Sequence, residues 1–181
     1  VLPASVATGL DFTFNSVAIG KGANSVAGNT VLGESALDAS VSGGNNTAIG
    51  KQALTTNTSG TDNVAVGYLA MEDNTTGTNN IGVGRRALAD NTSGANNTAI
   101  GNNALDANTT ASLNTAIGSS ALGTNLTGGS NTAVGAQALL ANTTASNNTA
   151  VGLSALLSNT TGESNTAVGG VALDANTTGS Y

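Results

Sequence analysis

The stretch NTAIGSSALGTNLTGGS, Asn114 to Ser130, recurs with small changes along almost the whole chain. Each copy carries a glycine after an aliphatic residue, and these anchor glycines are 17 residues apart: Gly33, Gly50, Gly67, Gly84, Gly101, Gly118, Gly135, Gly152 and Gly169. One earlier anchor, Gly20, precedes Gly33 by 13 residues and indicates a shortened copy of the unit. A fixed period of this kind indicates a repeat protein in which each unit packs on its neighbours.

The content of the unit predicts an all-β fold. A pair of helices needs more than about 30 residues, and Asn, Thr and Gly form helices poorly. The segment Asn-Thr-Ala-Val or Asn-Thr-Ala-Ile suits a strand, and Asn-Thr-Thr-Gly suits a turn. We therefore predict a parallel β-solenoid, or β-roll, of about ten coils over residues 15–181, with two strands of about five residues in each coil. Residues 1–14 lie outside the period and are predicted to form a cap or a linker.

The composition excludes several classes of protein. Four basic residues against ten acidic ones leave no basic stripe for nucleic acid. No apolar run reaches the roughly 18 residues of a membrane span. With neither Cys nor His and no recurring acid pair, we expect no enzymatic activity, no cofactor and no metal. The chain begins at Val1 and is interpreted as a piece of a longer protein.

The alternation within the strand predicts self-association. In a strand such as Thr115–Ile117, Thr and Ile point to one face while Ala and the anchor glycine occupy the other. Neither face is charged, and each coil holds few bulky side chains. The absence of charge on both faces is explained if the strand's own coil covers one face and a partner chain covers the other. We therefore predict a homotrimer of parallel rods. A thin monomeric solenoid is the alternative.

The repeat also resembles known families. NSVAIG at Asn15–Gly20, with the later NTAIG and NTAVG, resembles the head repeat of YadA-type trimeric autotransporter adhesins. The longer form NNTAVGxxALxxNTTG is similar to arrays in bacteriophage tail fibres and tail spikes. The resemblance covers residues 15–179 and implies a trimeric β-roll with a role in display or attachment, located extracellularly on a virion tail or a bacterial surface. The adhesin repeat is shorter, so a longer turn is expected here.

The variable residues are the candidate binding positions. They are the pairs directly after the anchor glycines, and we predict contacts with a host-surface glycan or protein receptor at Lys51, Gln52, Tyr68, Arg85 and Arg86. A solubilising surface patch is the alternative. Glu72-Asp73 and Arg85-Arg86 form the one charge cluster and could lie on different edges of adjacent coils.

Recurring polar residues allow further interpretations. The seven Asn-Thr-Thr or Asn-Thr-Ser sites predict either N-glycosylation or a ladder of stacked amides: Asn57, Asn74, Asn91, Asn108, Asn142, Asn159 and Asn176. Asp38, Asp106 and Asp174 share one position but lack the order of a calcium-binding solenoid, so solvated carboxylates are expected.

A rank of threonines, from Thr47 through Thr98 to Thr166, raises the alternative of an ice-binding solenoid. Val64 and Ile81 interrupt the rank, which favours an interior position for it. A self-assembling extracellular filament is a further alternative.

Overall fold

The computed structural model describes residues 12–39 and 42–181, which form one eleven-stranded sheet whose strands follow each other in chain order. From β3 to β11 neighbouring strands are parallel, and each residue pairs with the residue 17 positions further on, as Thr115 does with Thr132. The fold is therefore a parallel β-solenoid, as predicted, with about eight turns instead of the predicted ten coils. With neighbouring strands about 4.8 Å apart, eight steps from one coil to the next give a rod about 38 Å long. The strands are β1 Phe12–Phe14, β2 Val17–Gly20, β3 Thr30–Gly33, β4 Thr47–Ile49, β5 Val64–Val66, β6 Ile81–Val83, β7 Thr98–Ile100, β8 Thr115–Ile117, β9 Thr132–Val134, β10 Thr149–Val151 and β11 Thr166–Val168.

The copy that ends at Gly20 is not a shortened coil. Strand β2 pairs antiparallel with β3, and β1 pairs antiparallel with β2 across a two-residue turn in which Asn15 and Ser16 have φ of 47° and 67°. Gly33 follows Gly20 by a step of 13 positions, four fewer than the 17 that one turn of the solenoid uses. The chain therefore turns back through a 3₁₀ turn at Ala23–Ser25 instead of winding once around. Most of the predicted cap or linker, residues 1–11, lies outside the described residues, whereas Phe12–Phe14 belong to the sheet.

Each complete coil contains one strand of three residues, not the two longer strands that were predicted. The segment after the anchor glycine bends too sharply for a strand, since Asn103 and Leu105 have left-handed φ of 55° and 53°. Backbone hydrogen bonds still join this segment to the next coil, for example from the amide of Leu105 to the carbonyl of Ala121 at 2.9 Å. This side of the solenoid is thus a stack of turns.

The interior is narrow and holds one large aliphatic side chain in each coil. In the coil that begins at Gly101, Ala104, Leu105 and Ala116 are fully buried, and the same positions are buried along the rod. From β4 to β11 the central residue of the strand points inward, while the Thr, Val or Ile before it and the Val or Ile after it point outward. This alternation is the predicted one.

The anchor glycine is required by the closeness of successive coils. A Cβ atom added to Gly118 would lie 2.5 Å from the carbonyl oxygen of Gly135, and its φ is 135°. A side chain would therefore both collide with the next coil and strain the backbone.

Two exceptions to the repeat compensate each other. Met71 replaces the buried leucine of its coil, and Gly82, in the following strand, replaces the inward alanine. A Cβ atom on Gly82 would lie 2.8 Å from Cγ of Met71. In the next coil the corresponding residues are Leu88 and Ala99, both fully buried. The longer Met side chain thus fills the space that the missing methyl group leaves.

We expect Gly82→Ala to lower the free energy of unfolding by about 1–3 kcal/mol, because it overpacks the core against Met71. In a Met71→Leu background the same change should cost much less, since it restores the pair found in the other coils. Urea unfolding of the wild type, both single variants and the double variant gives the coupling between the two sites. Independent, additive effects would contradict this account.

Candidate interaction surface

The outward residues form three surfaces, each built from ranks of residues that hold the same position in successive coils. The strand face comprises the outward residues of β1 to β11, such as Thr115 and Ile117. The charged edge comprises the pair after each anchor glycine and the pair after each buried leucine or Met71, such as Arg85-Arg86 and Asp106-Ala107. The hydroxyl ridge comprises the Thr or Ser pairs of the turn, such as Thr109-Thr110.

An unbroken apolar rank runs down the strand face. Sheet register aligns one residue from each strand: Phe12, Ile19, Leu32, Ile49, Val66, Val83, Ile100, Ile117, Val134, Val151 and Val168. Phe14 lies on the same face, opposite Val17, and is 63% exposed. Phe12 therefore begins this apolar rank and Phe14 lies beside it on the same face, and no charged residue occurs in the eleven strands.

A second rank of the strand face consists mainly of threonines. Thr98, Thr115, Thr132 and Thr149 are half-buried and point outward, and Ile81 in the same rank is 39% exposed. The interior position predicted for this rank from Val64 and Ile81 is thus wrong, because from β4 to β11 the inward position of the strand is occupied by alanine or glycine and the Thr, Val and Ile side chains before it lie outside. No hydrogen bond of these threonine hydroxyls is found among residues 12–39 and 42–181. Turn threonines differ, since Oγ1 of Thr92 donates to the carbonyl of Thr109 at 3.0 Å.

The charged edge carries most of the charge of the rod. Ten of the chain's 14 charged residues lie on it: Glu34, Asp38, Lys51, Glu72, Asp73, Arg85, Arg86, Asp90, Asp106 and Asp174. By contrast, residues 107–162 contain no charged residue. The charge of the coils is therefore concentrated on one edge of their N-terminal half.

The five predicted contact residues lie together on this edge. Lys51, Tyr68 and Arg85 occupy one rank on three successive coils, and Gln52 and Arg86 belong to the adjacent rank. Backbone hydrogen bonds connect the two ranks, from the amide of Arg86 to the carbonyl of Tyr68 at 3.0 Å and from the amide of Leu69 to the carbonyl of Lys51 at 3.1 Å. Tyr68 is 45% exposed, so its ring is accessible between the two cationic side chains of its rank.

Two of the cations are already paired. Nζ of Lys51 lies 3.0 Å from a carboxylate oxygen of Glu34 in the preceding coil. Arg86 donates from Nε to Asp106 at 3.2 Å and from Nη2 to Asp90 at 3.1 Å, and Nη2 also lies 2.9 Å from the second oxygen of Asp106. The hydrogen bond with Asp106 raises the pKa of Arg86 further above its usual value. Arg86 thus serves mainly to join two coils.

The ion pairs of Arg86 are formed with Asp90 and Asp106 and not with Glu72 or Asp73. The sequence cluster of Glu72-Asp73 with Arg85-Arg86 therefore does not describe the pairing, because the turn brings the acid of the same coil and of the next coil to the guanidinium. The pKa of Glu72 is raised, first by partial burial and then by the charge of Asp73, while Arg86 acts in the opposite direction.

The asparagines of the predicted glycosylation sites form an internal ladder. Nδ2 of Asn108 donates to Oδ1 of Asn91 at 2.9 Å, and Oδ1 of Asn108 accepts from Asn125 at 3.1 Å. The first six of the seven sites are fully buried, and only Asn176 in the last coil is partly exposed. The amide-ladder interpretation is confirmed, and glycosylation of the buried sites is wrong for the folded protein because the acceptor nitrogen is inside the solenoid.

A second ladder was missed in the sequence. The asparagine before each strand is also buried, and Oδ1 of Asn97 accepts a hydrogen bond from the amide of Asn114 at 3.0 Å. Nδ2 of Asn114 donates to the carbonyl of Gly128 in the next coil at 2.9 Å. This position is Asn in all nine coil-forming copies, a signal that could have revealed the second ladder.

In the described part of the chain, no three Asp or Glu side chains are grouped so as to hold a metal ion. No helix there is long and apolar enough to cross a membrane. Comparison of the chain with protein-family models, curated proteins and solved structures finds no match.

We expect Asn108→Ala to lower the free energy of unfolding by about 1–3 kcal/mol, because it leaves Oδ1 of Asn91 without its donor inside the core. Asn176→Ala is the matched comparison and should cost less, since Asn176 ends the ladder and is bonded within it only to Asn159, whereas Asn108 is bonded to both Asn91 and Asn125. Chemical denaturation followed by circular dichroism compares the two variants. Equal losses at both positions would show that the ladder does not stabilise the rod.

Proposed function

We propose that the chain is a non-enzymatic structural and attachment module: a rigid rod that associates into a parallel homotrimer through the strand face and presents the charged edge to a receptor. The observation that carries the proposal is the apolar rank of eleven residues on the outside of the sheet. The resemblance of the repeat to adhesin heads and to bacteriophage fibres supports an extracellular location on a virion tail or a bacterial surface.

The strand face is unusual for the surface of a monomer. Soluble monomers rarely expose a contiguous apolar strip of this length, and such strips mark interaction sites. Its side chains are not needed to fill the rod itself, because Ala and Leu already seal the narrow interior. An identical copy offers a complementary partner, since its rank has the same spacing between coils and can align side by side in parallel. Three copies follow from the resemblance to trimeric heads.

We expect the wild-type chain to have about three times the monomer mass of 17.3 kDa in light scattering, and Ile117→Glu with Val134→Glu to reduce that mass. Burying unpaired carboxylates in an apolar interface is costly. Leu153→Glu is the matched control, because Leu153 is 58% exposed on the charged edge and its substitution should leave the mass unchanged.

Three results would contradict the proposal. A folded wild-type monomer at micromolar concentration would exclude self-association through the strand face. A discrete dimer would exclude threefold assembly, and long filaments in electron microscopy would favour the alternative of a self-assembling filament.

Ice binding is the second candidate, favoured by the outward position of the threonine rank. Thr98, Thr115, Thr132 and Thr149 repeat on successive strands without interruption, and their hydroxyls are not used within the described part of the rod. Their spacing is set by the strand separation of about 4.8 Å. A regular array of methyl and hydroxyl groups can order water. The same face would then remain open instead of being covered by other copies.

The second candidate predicts that the wild-type chain inhibits ice recrystallisation and that Thr132→Tyr abolishes the effect by disrupting the flat rank. Thr127→Tyr on the hydroxyl ridge is the control and should retain activity, because Thr127 lies outside the strand face. Absence of inhibition by the wild type at millimolar concentration would exclude this candidate.

A further inference from the structure

The charged edge contains one exposed aromatic ring beside one unpaired cation. Tyr68 and Arg85 hold the same position in successive coils, and both side chains are exposed. Their backbones are held in register by the hydrogen bonds from Arg86 to Tyr68 and from Asn103 to Arg85, at 3.0 and 2.9 Å. The two side chains therefore start about 4.8 Å apart along the rod axis, on a backbone that is fixed on both sides.

Arg85 differs from the other cations of the edge. Lys51 is paired with Glu34, and Arg86 is paired with Asp90 and Asp106. Arg85 has no carboxylate partner among the described residues, and its hydrogen bond goes from Nη1 to the neutral Oδ1 of Asn103 at 3.3 Å. Its guanidinium remains able to form two parallel hydrogen bonds with one carboxylate, the geometry for which Arg is suited.

We infer that Tyr68 and Arg85 bind a sugar ring that carries a carboxylate, such as a terminal sialic acid or a uronic acid. The apolar face of the pyranose packs on the ring of Tyr68, and the carboxylate is held by Arg85. This inference rests on the proposed attachment function and names the class of its ligand.

The charge of the rod favours a ligand with a single carboxylate over a polyanion. The chain has a formal net charge of −6, and Glu34, Asp90 and Asp106 offset the positive charge of Lys51 and Arg86. A polyanion gains affinity by neutralising many charges on a basic surface, which this edge does not offer. One carboxylate needs only one uncompensated guanidinium, and Arg85 provides it.

Assembly would strengthen a site that is shallow in a single chain. Three parallel rods present three copies of the Tyr68–Arg85 pair, so a surface that displays many acidic sugars is bound multivalently. Binding to a single soluble oligosaccharide is expected to be weak even when attachment to a surface is strong.

The test is titration of the wild-type chain with 3′-sialyllactose and with lactose, which lacks the carboxylated ring, followed by NMR. We expect 3′-sialyllactose to bind about tenfold more tightly than lactose, since it adds hydrogen bonds to a charged group. Arg85→Gln should remove this preference, whereas Tyr68→Ala should weaken binding of both sugars. Leu153→Ala is the matched control because it changes an exposed residue of the same rank without touching either group.

Equal affinity for the two sugars, no binding of either, or an Arg85→Gln variant that binds like Leu153→Ala would overturn the inference. Binding that Tyr68→Ala leaves unchanged would overturn it as well, because it would indicate a site for any anion. Light scattering on the same samples separates this outcome from failure of the trimer. A trimer that binds no sugar contradicts only the ligand, and a monomer that binds it contradicts only the assembly.

Discussion

Hydrogen bonds between successive coils are the constraint on which the rest of this rod depends. The amide of Thr115 donates to Asn131 in the next coil, and the amide of Gly118 donates to Ile100 in the previous one, both at 2.8 Å. The two asparagine ladders use the same offset of 17 residues. Because backbone and side-chain bonds share one register, a copy of any other length cannot join the stack. The copy that ends at Gly20 is four residues short, and there the chain leaves the parallel stack and reverses its direction.

The closeness of the coils determines which side chains can be inside. At the anchor position there is no room for a Cβ atom, as at Gly118. The interior of a typical coil is filled by the inward alanine of the strand, two positions before that glycine, and by one leucine. Where Met71 replaces that leucine, the neighbouring strand loses a methyl group at Gly82. From β4 to β11 Ala or Gly occupies the inward position, so the Val and Ile side chains of these strands lie outside; the one inward valine among the described strands, Val31, is in β3 at the end of the parallel stack. The apolar strand face thus follows directly from the small interior.

The two most distinctive surfaces differ in their chemistry. The strand face has no charge and continues through the phenylalanines of β1, which suits contact with another apolar surface. The charged edge is polar, and five of its ten charged residues are paired with each other. Among the cations of this edge, Arg85, next to the exposed ring of Tyr68, is the one without a carboxylate partner in the described part of the chain. The proposed self-association and the proposed ligand recognition therefore use different sides of the same rod and do not compete.

The sequence by itself determined the period, the parallel solenoid, the alternation within the strand and the ladder at Asn108, because each depends only on which residues recur every 17 positions. The tertiary structure decided the features that depend on how the backbone runs between those recurring positions. Left-handed backbone at Leu105 removed the second strand, and the direction of β2 made the first copy a hairpin. Turns that bring together residues of different coils pair Arg86 with Asp90 and Asp106. The same turns place the neutral Asn103, and no carboxylate of the described residues, beside the guanidinium of Arg85. Spacing along the chain does not show which side chains such turns place in contact.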